Sequence, residues 1–187
     1  MQKVDYLNID WQAFNKRLDK LDRCECNAGP LLEHVHDKHN IDALDLSDSL
    51  KDLLNKLNSE KKIYTSDSFV DDLPAGFLER NQIDPKATLI KILGLPSGTF
   101  TFPHTDAYTN AKRQFGLPKD AKVKRLWIPC MDYKFGHVLC LDKEVVIDYC
   151  AGDVFEIPGN IMHSATNIGI ENRRIMTITG AVVDKAA

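Results

Sequence analysis

The feature that most constrains the fold is a series of eight short segments rich in β-forming residues in the second half of the chain. Residues that favour tight turns separate them, among them Pro96-Ser97-Gly98 and Pro158-Gly159-Asn160. Short strands joined by such turns are typical of antiparallel sheets. The predicted strands are Ala87–Leu95, Thr99–Asp106, Val123–Cys130, Gly136–Leu141, Glu144–Tyr149, Val154–Ile157, Ile161–Asn167 and Arg173–Val183.

Eight short antiparallel strands predict a mainly β fold, a jelly-roll or small barrel of two facing sheets. We expect residues 86–187 to form this core. Residues 1–85 are predicted to be mostly helical and to cover one sheet, because a helical segment of this size does not easily hold a core alone. The 187 residues are therefore interpreted as a single domain.

The helical prediction for the first half depends on apolar residues at helical spacing. Asp10 precedes the first of these stripes, and Ser47 precedes a later one, as candidate caps. The predicted helices are Trp11–Leu21, Pro30–Lys38, a segment containing Leu50–Leu57, and a short helix that begins at Pro74.

Composition excludes several classes of partner. The 24 Lys+Arg against 27 Asp+Glu, a net charge of -3, do not indicate the clustered basic excess of a nucleic-acid-binding protein. No apolar run is long enough to span a bilayer. The five cysteines follow no disulfide framework, so we expect reduced thiols and a cytoplasmic protein.

Three residues form a candidate metal site. His104 and Asp106 lie two positions apart at the end of a predicted strand, so their side chains project to the same face. His163 lies in the seventh predicted strand, after a tight turn. Two imidazoles and one carboxylate form the facial triad associated with iron(II) oxygenases. Zinc more often takes thiolate or all-histidine ligands.

A resemblance to a known family rests on three stretches, Leu95–Asp106, His163–Asn167 and Asn172–Ile178. With them, residues 87–183 resemble the double-stranded β-helix of the 2-oxoglutarate- and iron(II)-dependent dioxygenases. The family pattern is H-x-D, a distal His, and an Arg about ten residues later. The resemblance is nearest to the aspartyl/asparaginyl β-hydroxylase-like branch. That branch often lacks the carboxylate that Asp106 supplies, so a prolyl-hydroxylase-like or phytanoyl-type enzyme is an alternative.

The resemblance implies an oxygenase that hydroxylates a C–H bond and converts 2-oxoglutarate and O2 to succinate and CO2, with ascorbate as a possible reductant. The family needs a cation for the distal carboxylate of 2-oxoglutarate, and arginine offers a planar fork for it. We expect Arg173 in this role, because strand alternation puts the hydroxyl of Thr177 on its face. Arg174 remains the alternative, since a one-residue register error reverses the faces.

Five further residues are weaker candidates for the site. Arg125 and Trp127 alternate on one predicted strand, where an inward arginine could contact 2-oxoglutarate or an acidic substrate, although a solvated strand face is the commoner arrangement. Asn167 shares a strand face with His163 and could line the site or satisfy a turn. Tyr108 and Asn110 begin a long polar segment from Ala107 to Lys122 and are substrate-lid candidates, since loops of this length are often functional.

A second cluster in the first half could also hold a metal. Its potential ligands are Cys24, Cys26, His34, His36 and His39. Their spacing matches none of the familiar zinc patterns, so we favour a cluster without a metal.

Two other function classes stay open. The Gly98-to-Asp106 and Gly152-to-Asn167 spacings are similar to the two cupin motifs, which fit an isomerase or a dioxygenase that does not use 2-oxoglutarate. Arg173 argues for the 2-oxoglutarate interpretation, because a cupin has no need of a buried cation there. The other alternative is a non-catalytic metal-binding barrel. The sequence identifies neither the substrate, which could be a small molecule or a peptidyl side chain, nor the oligomeric state.

Overall fold

A computed structural model describes residues 3–21, 41–59, 62–65 and 67–183. The predicted helix Pro30–Lys38 and the candidate cluster from Cys24 to His39 lie outside these residues. In the part of the chain that is described, no helix is long and apolar enough to cross a membrane.

The described residues form nine strands and four α-helices, with one 3-10 helix at Asp67–Asp72. The strands are β1 Lys3–Tyr6, β2 Lys62–Thr65, β3 Ile83–Leu95, β4 Val123–Pro129, β5 His137–Leu141, β6 Glu144–Val146, β7 Asp153–Ile157, β8 His163–Asn167 and β9 Arg173–Val182. The helices are α1 Trp11–Leu21, α2 Asp48–Ser59, α3 Phe77–Arg80 and α4 Thr109–Gln114.

Two antiparallel sheets face each other. The large sheet has the order β1-β7-β4-β9-β3-β2, and the small sheet has the order β6-β5-β8. Apolar side chains from both sheets fill the space between them, including Trp127, Leu139, Phe155, Ala165 and Ile175. The protein therefore has the predicted mainly β fold, a double-stranded β-helix.

The outer face of the large sheet is covered by the N-terminal half of the chain. Phe14 and Leu18 of α1 pack in one buried cluster with residues of four strands, and Phe69 and Phe77 join the same cluster. Strand alternation explains this second core, because side chains of odd and even positions leave a sheet on opposite faces. In β9, Ile175 faces the barrel interior, whereas Met176 and Ile178 face the helices.

Seven of the eight predicted strand segments overlap a strand of the structure, and Thr99–Asp106 is the exception. This segment lies antiparallel to β8 and is joined to it by two isolated bridges, Phe100 to Thr166 and His104 to His163, but it forms no regular strand. Pro103 lies between these bridges. Proline has no N–H to donate to a ladder, which explains the interruption.

The described residues of the N-terminal half contain two strands that the sequence did not predict. The helix Trp11–Leu21 is confirmed, and its first turn is capped by Asp10, whose Oδ1 accepts the Ala13 N–H at 2.9 Å. The prediction missed β1 and β2, which pair with β7 and β3 at the two edges of the large sheet. Both are four-residue strands set among segments of helical periodicity, so the helical pattern determined the prediction there.

Two boundaries also differ. The short helix expected at Pro74 begins instead at Phe77, after Gly76 in a left-handed conformation with φ 74°. The long segment Ala107 to Lys122, expected to be a loop, contains the helix α4.

We expect the helical part and the barrel to unfold as one unit. Leu18 is fully buried in the cluster shared by α1 and the large sheet, so Leu18→Ala should lower the free energy of unfolding by about 2–5 kcal/mol. Denaturant unfolding followed by far-UV and near-UV circular dichroism measures this. Gln12→Ala, at an exposed position of the same helix, should leave the stability nearly unchanged. Two separate transitions would contradict a single domain.

Candidate metal centre

The two histidines of the predicted site are held together by their own backbones. The His104 N–H donates to the His163 carbonyl oxygen at 2.9 Å, and the His163 N–H donates back to the His104 oxygen at 2.8 Å. The two ring centroids are 4.3 Å apart. With Asp106, two residues further along, one ligand atom of each side chain lies within 4.8 Å of the others. The structure therefore brings the three predicted ligands together.

Hydrogen bonds orient both imidazole rings. Nδ1 of His104 lies 2.7 Å from the Phe102 carbonyl oxygen, and Nδ1 of His163 lies 3.0 Å from the Ile161 carbonyl oxygen. A carbonyl oxygen can only accept, so each Nδ1 carries the proton and each Nε2 keeps its lone pair. Metal-binding histidines are oriented in this way. Burial lowers the pKa of His163, which favours the neutral, ligating form.

The Asp106 carboxylate lies between a histidine and an arginine. Its Oδ2 is 3.5 Å from Nε2 of His163 and accepts a hydrogen bond from Nη1 of Arg125 at 2.5 Å. Two carboxylate oxygens offer about four lone-pair positions, so the same group can bind a metal and the guanidinium. His104 is exposed whereas His163 is 8% exposed, so the site opens to solvent on the His104 side.

The donor set fits a divalent metal with open coordination positions. Two neutral nitrogens and one carboxylate form the facial triad that suits iron(II). A structural zinc site would require a fourth protein ligand. Among the described residues, this is the one group of three or more His, Cys, Asp or Glu side chains that could share an ion.

Arg173 and Arg174 leave β9 on opposite faces. Arg174 points to the helical layer, where its Nη2 bonds Asp19 of α1. Arg173 points into the barrel and is 0% exposed. Its Nη1 donates to the carbonyl oxygens of Val138 and Thr166, at 2.6 and 3.0 Å.

The Arg173 guanidinium has few partners for a buried cation. Within the described residues, its Nε and Nη2 atoms have no hydrogen-bond partner of good geometry, although the Tyr149 hydroxyl interacts with the guanidinium and partly offsets the lowering of its pKa by burial. It also takes part in none of the ion pairs among those residues. Its carbon lies 5.6 Å from the centre of the Trp127 ring. A buried cation without a counterion is costly.

The remaining candidates have different surroundings. Thr177 faces the barrel interior opposite Trp127, and its hydroxyl lies 3.4 Å from the Lys91 carbonyl oxygen. Asn167 is fully buried, and its amide nitrogen donates to the carbonyl oxygens of Leu95 and Glu171. This favours the turn-satisfying interpretation of Asn167. Asn110 lies in α4, and its side chain is outside the described part.

Tyr108 packs against the metal-binding segment. Its hydroxyl donates to the Ile157 carbonyl oxygen at 3.0 Å, and burial raises its pKa to about 12. Its ring lies 5.2 Å from the guanidinium carbon of Arg125. The tyrosine predicted as a lid residue is thus fixed to β7 and β4.

Sequence reasoning missed two polar residues on the inner faces. Lys91 pairs with Thr177 in the β3–β9 ladder, and His137, fully buried, pairs with Asn167 in the β5–β8 ladder. Strand alternation from the inward Leu93 and Leu139 would have identified both. Burial lowers the pKa of His137.

No protein-family model matches this sequence, and no curated protein matches it. Solved structures with a similar fold include a predicted oxalate decarboxylase from Thermotoga maritima, with 14% identity and a TM-score of 0.39 over 65% of this chain and 81% of that chain. A cupin protein from Bacteroides fragilis has 13% identity and a TM-score of 0.38 over 54% of this chain and 70% of its own.

A cupin-family protein from Methanocaldococcus jannaschii, described as having a double-stranded β-helix fold, has 15% identity and a TM-score of 0.37 over 51% of this chain and 71% of its own. None of these three is described as a 2-oxoglutarate dioxygenase. At such low identities and TM-scores, the likenesses are no evidence for the activity of this chain.

Removing Asp106 should weaken metal binding. Asp106→Ala should raise the dissociation constant for Mn(II), used as an air-stable probe, by more than the roughly 10–100-fold that loss of a supporting residue costs. Isothermal titration calorimetry measures this, with Asp120→Ala at an exposed position as the control. Equal affinity of Asp106→Ala and wild-type protein would exclude Asp106 as a ligand.

Proposed function

We propose that the protein is an iron(II)-dependent oxygenase that uses 2-oxoglutarate as co-substrate. The observation that carries the proposal is Arg173, a buried cation in the barrel that holds the His104, Asp106 and His163 triad. Two of its nitrogens have no partner of good geometry among the described residues, and the neighbouring Tyr149 hydroxyl is neutral and supplies no counterion. A carboxylate would supply both the missing acceptors and the missing counterion.

The position of Arg173 is compatible with this role. Its guanidinium bonds the carbonyl oxygen of Thr166, three residues along β8 from His163. At the rise of a strand, this is about 10 Å from the histidine backbone. A five-carbon dicarboxylate could bridge such a gap with one end at the metal. Between His163 and Thr166, the residue of β8 that faces the barrel interior is Ala165. Its small side chain leaves room for a ligand there.

Each residue then has a defined task. His104, Asp106 and His163 would hold the metal on one side and leave the opposite side for co-substrate and O2. Arg173 would bind the distal carboxylate, with Thr177 on the same strand face. The apolar barrel wall would exclude water. When bound, the iron would activate O2, the oxidant, of which one oxygen atom enters succinate as 2-oxoglutarate loses CO2 and the other hydroxylates a C–H bond.

The proposed reaction limits the substrate to a molecule with a C–H bond that can be hydroxylated. A peptidyl side chain, a free amino acid or another small metabolite fits, since each offers an unactivated C–H bond. The exposed side of His104 supports approach of the substrate from solvent.

A second candidate is a cupin-type metalloprotein that does not use 2-oxoglutarate, either an isomerase or another dioxygenase. One observation favours it. Nη1 of Arg173 bonds carbonyl oxygens of both β5 and β8, so the arginine also serves as a cross-link of the small sheet to β9. An arginine with that task alone would bind no co-substrate.

Succinate release from 2-oxoglutarate, measured with iron(II), ascorbate and O2, tests the proposal. Uncoupled turnover should release succinate even without the substrate. Arg173→Met should raise the KM for 2-oxoglutarate by about 10–100-fold, the cost of losing charge-assisted hydrogen bonds. Arg174→Met changes the outward arginine, and should leave this KM unchanged even if it lowers stability.

The result that would contradict the proposal is the absence of succinate, together with no thermal stabilisation of metal-loaded protein by 2-oxoglutarate or its unreactive analogue N-oxalylglycine. A metal-loaded protein with that behaviour would favour the cupin interpretation or a non-catalytic barrel.

A further inference from the structure

We infer that Arg125 is a positioning residue that holds Asp106 in its ligating geometry before the metal binds. The inference rests on the metal triad of the proposed function, but not on the use of 2-oxoglutarate. The sequence interpretations gave Arg125 a contact with 2-oxoglutarate, a contact with an acidic substrate, or a solvated strand face. Its contacts assign it to the metal ligand instead.

Two anchors fix the Arg125 side chain. Nη1 donates to Oδ2 of Asp106 at 2.5 Å, and Nε donates to the hydroxyl of Thr179 at 3.0 Å. Thr179 is the β9 partner of Arg125 in the large sheet. Because the guanidinium is planar and its donors keep a fixed geometry, a bond at Nε determines where Nη1 points. The regular sheet thereby sets the position of the carboxylate.

Asp106 needs such an anchor because its own backbone is not hydrogen-bonded to a neighbouring strand. Residues 105–108 belong to no helix or strand, and the bridge to β8 ends at His104. The carboxylate is nonetheless largely desolvated, with 13% of the Asp106 side chain exposed. A charge that is withdrawn from water and held by no strand requires a partner to keep one geometry.

Tyr108 and Gly159 pack against the Arg125–Asp106 pair and its backbone. The Tyr108 ring faces the guanidinium and is tied to β7 through its hydroxyl. A methyl group added at Gly159 would lie 2.5 Å from Tyr108 Cε2 and 2.9 Å from the Asp106 carbonyl oxygen. The turn after β7 therefore packs directly against the segment that carries the ligand, and only glycine allows this approach.

The decisive measurement is the affinity for Mn(II), by calorimetry on the full chain without co-substrate. Arg125→Gln should weaken binding about 10–100-fold, as removal of a group that orients a metal ligand does. Arg125→Lys should restore part of the affinity. A lysine ammonium can pair with Asp106, but it cannot bond Thr179 at the same time, as the guanidinium does through its separate Nε and Nη1 donors. Lys124→Gln removes the neighbouring cation, which pairs with Glu156 on the opposite face, and should change nothing.

A second variant keeps the test independent of the charge at position 125. Thr179→Val removes the acceptor of Nε but leaves both charges, and should weaken Mn(II) binding by a smaller factor than Arg125→Gln. Thermal unfolding of each metal-free variant shows that the barrel is intact. A loss of affinity that follows the loss of thermal stability across the set, rather than the loss of these two contacts, would overturn the inference.

Two other outcomes would also overturn it. Wild-type Mn(II) affinity in Arg125→Gln, with a raised KM for 2-oxoglutarate, would make Arg125 a co-substrate-binding residue. Failure of the wild-type protein itself to bind Mn(II) would remove the ligand that Arg125 is inferred to position. Failure of the 2-oxoglutarate proposal alone, with metal binding intact and dependent on Arg125, would leave the inference supported.

Discussion

Two backbone hydrogen bonds between His104 and His163 bring together the two imidazoles of the candidate metal site. His163 belongs to a regular strand, but His104 and Asp106 follow a proline and lie outside any ladder. The reciprocal bonds attach the irregular segment to β8 where the two imidazoles lie side by side. The orientation of the rings, the position of the Asp106 carboxylate and its contact with Arg125 all depend on this attachment.

The charges inside the barrel give the two arginines different tasks. Arg125 is paired with Asp106, so its charge is compensated and its geometry is set by the sheet. Arg173 is more deeply buried, bonds the carbonyl oxygens of Val138 and Thr166, and interacts with the Tyr149 hydroxyl. Thr166 lies three residues along β8 from His163. Burying a cation with few partners is costly, and an anion bound beside it would offset that cost. The proposed use of 2-oxoglutarate rests on this interaction.

Local periodicity predicted the parts of this structure that depend on neighbouring positions. Alternation located seven strand segments and the opposite faces of Arg173 and Arg174. It missed β1 and β2, four-residue strands set among segments of helical periodicity, and it extended Thr99–Asp106 into a strand despite Pro103. It also left the partner of Arg125 undetermined, because alternation indicates which face a side chain leaves and says nothing about which distant residue meets it there.

The most direct test of the central claim is a crystal structure of the Mn(II)-loaded protein with N-oxalylglycine, with the metal located by anomalous scattering. The account predicts one strong peak within bonding distance of Nε2 of His104, Nε2 of His163 and an Asp106 oxygen. It also predicts that N-oxalylglycine lies between this peak and the Arg173 guanidinium. A peak bound by other residues, or no peak near the triad, would contradict the assignment of this barrel as a metal-dependent oxygenase.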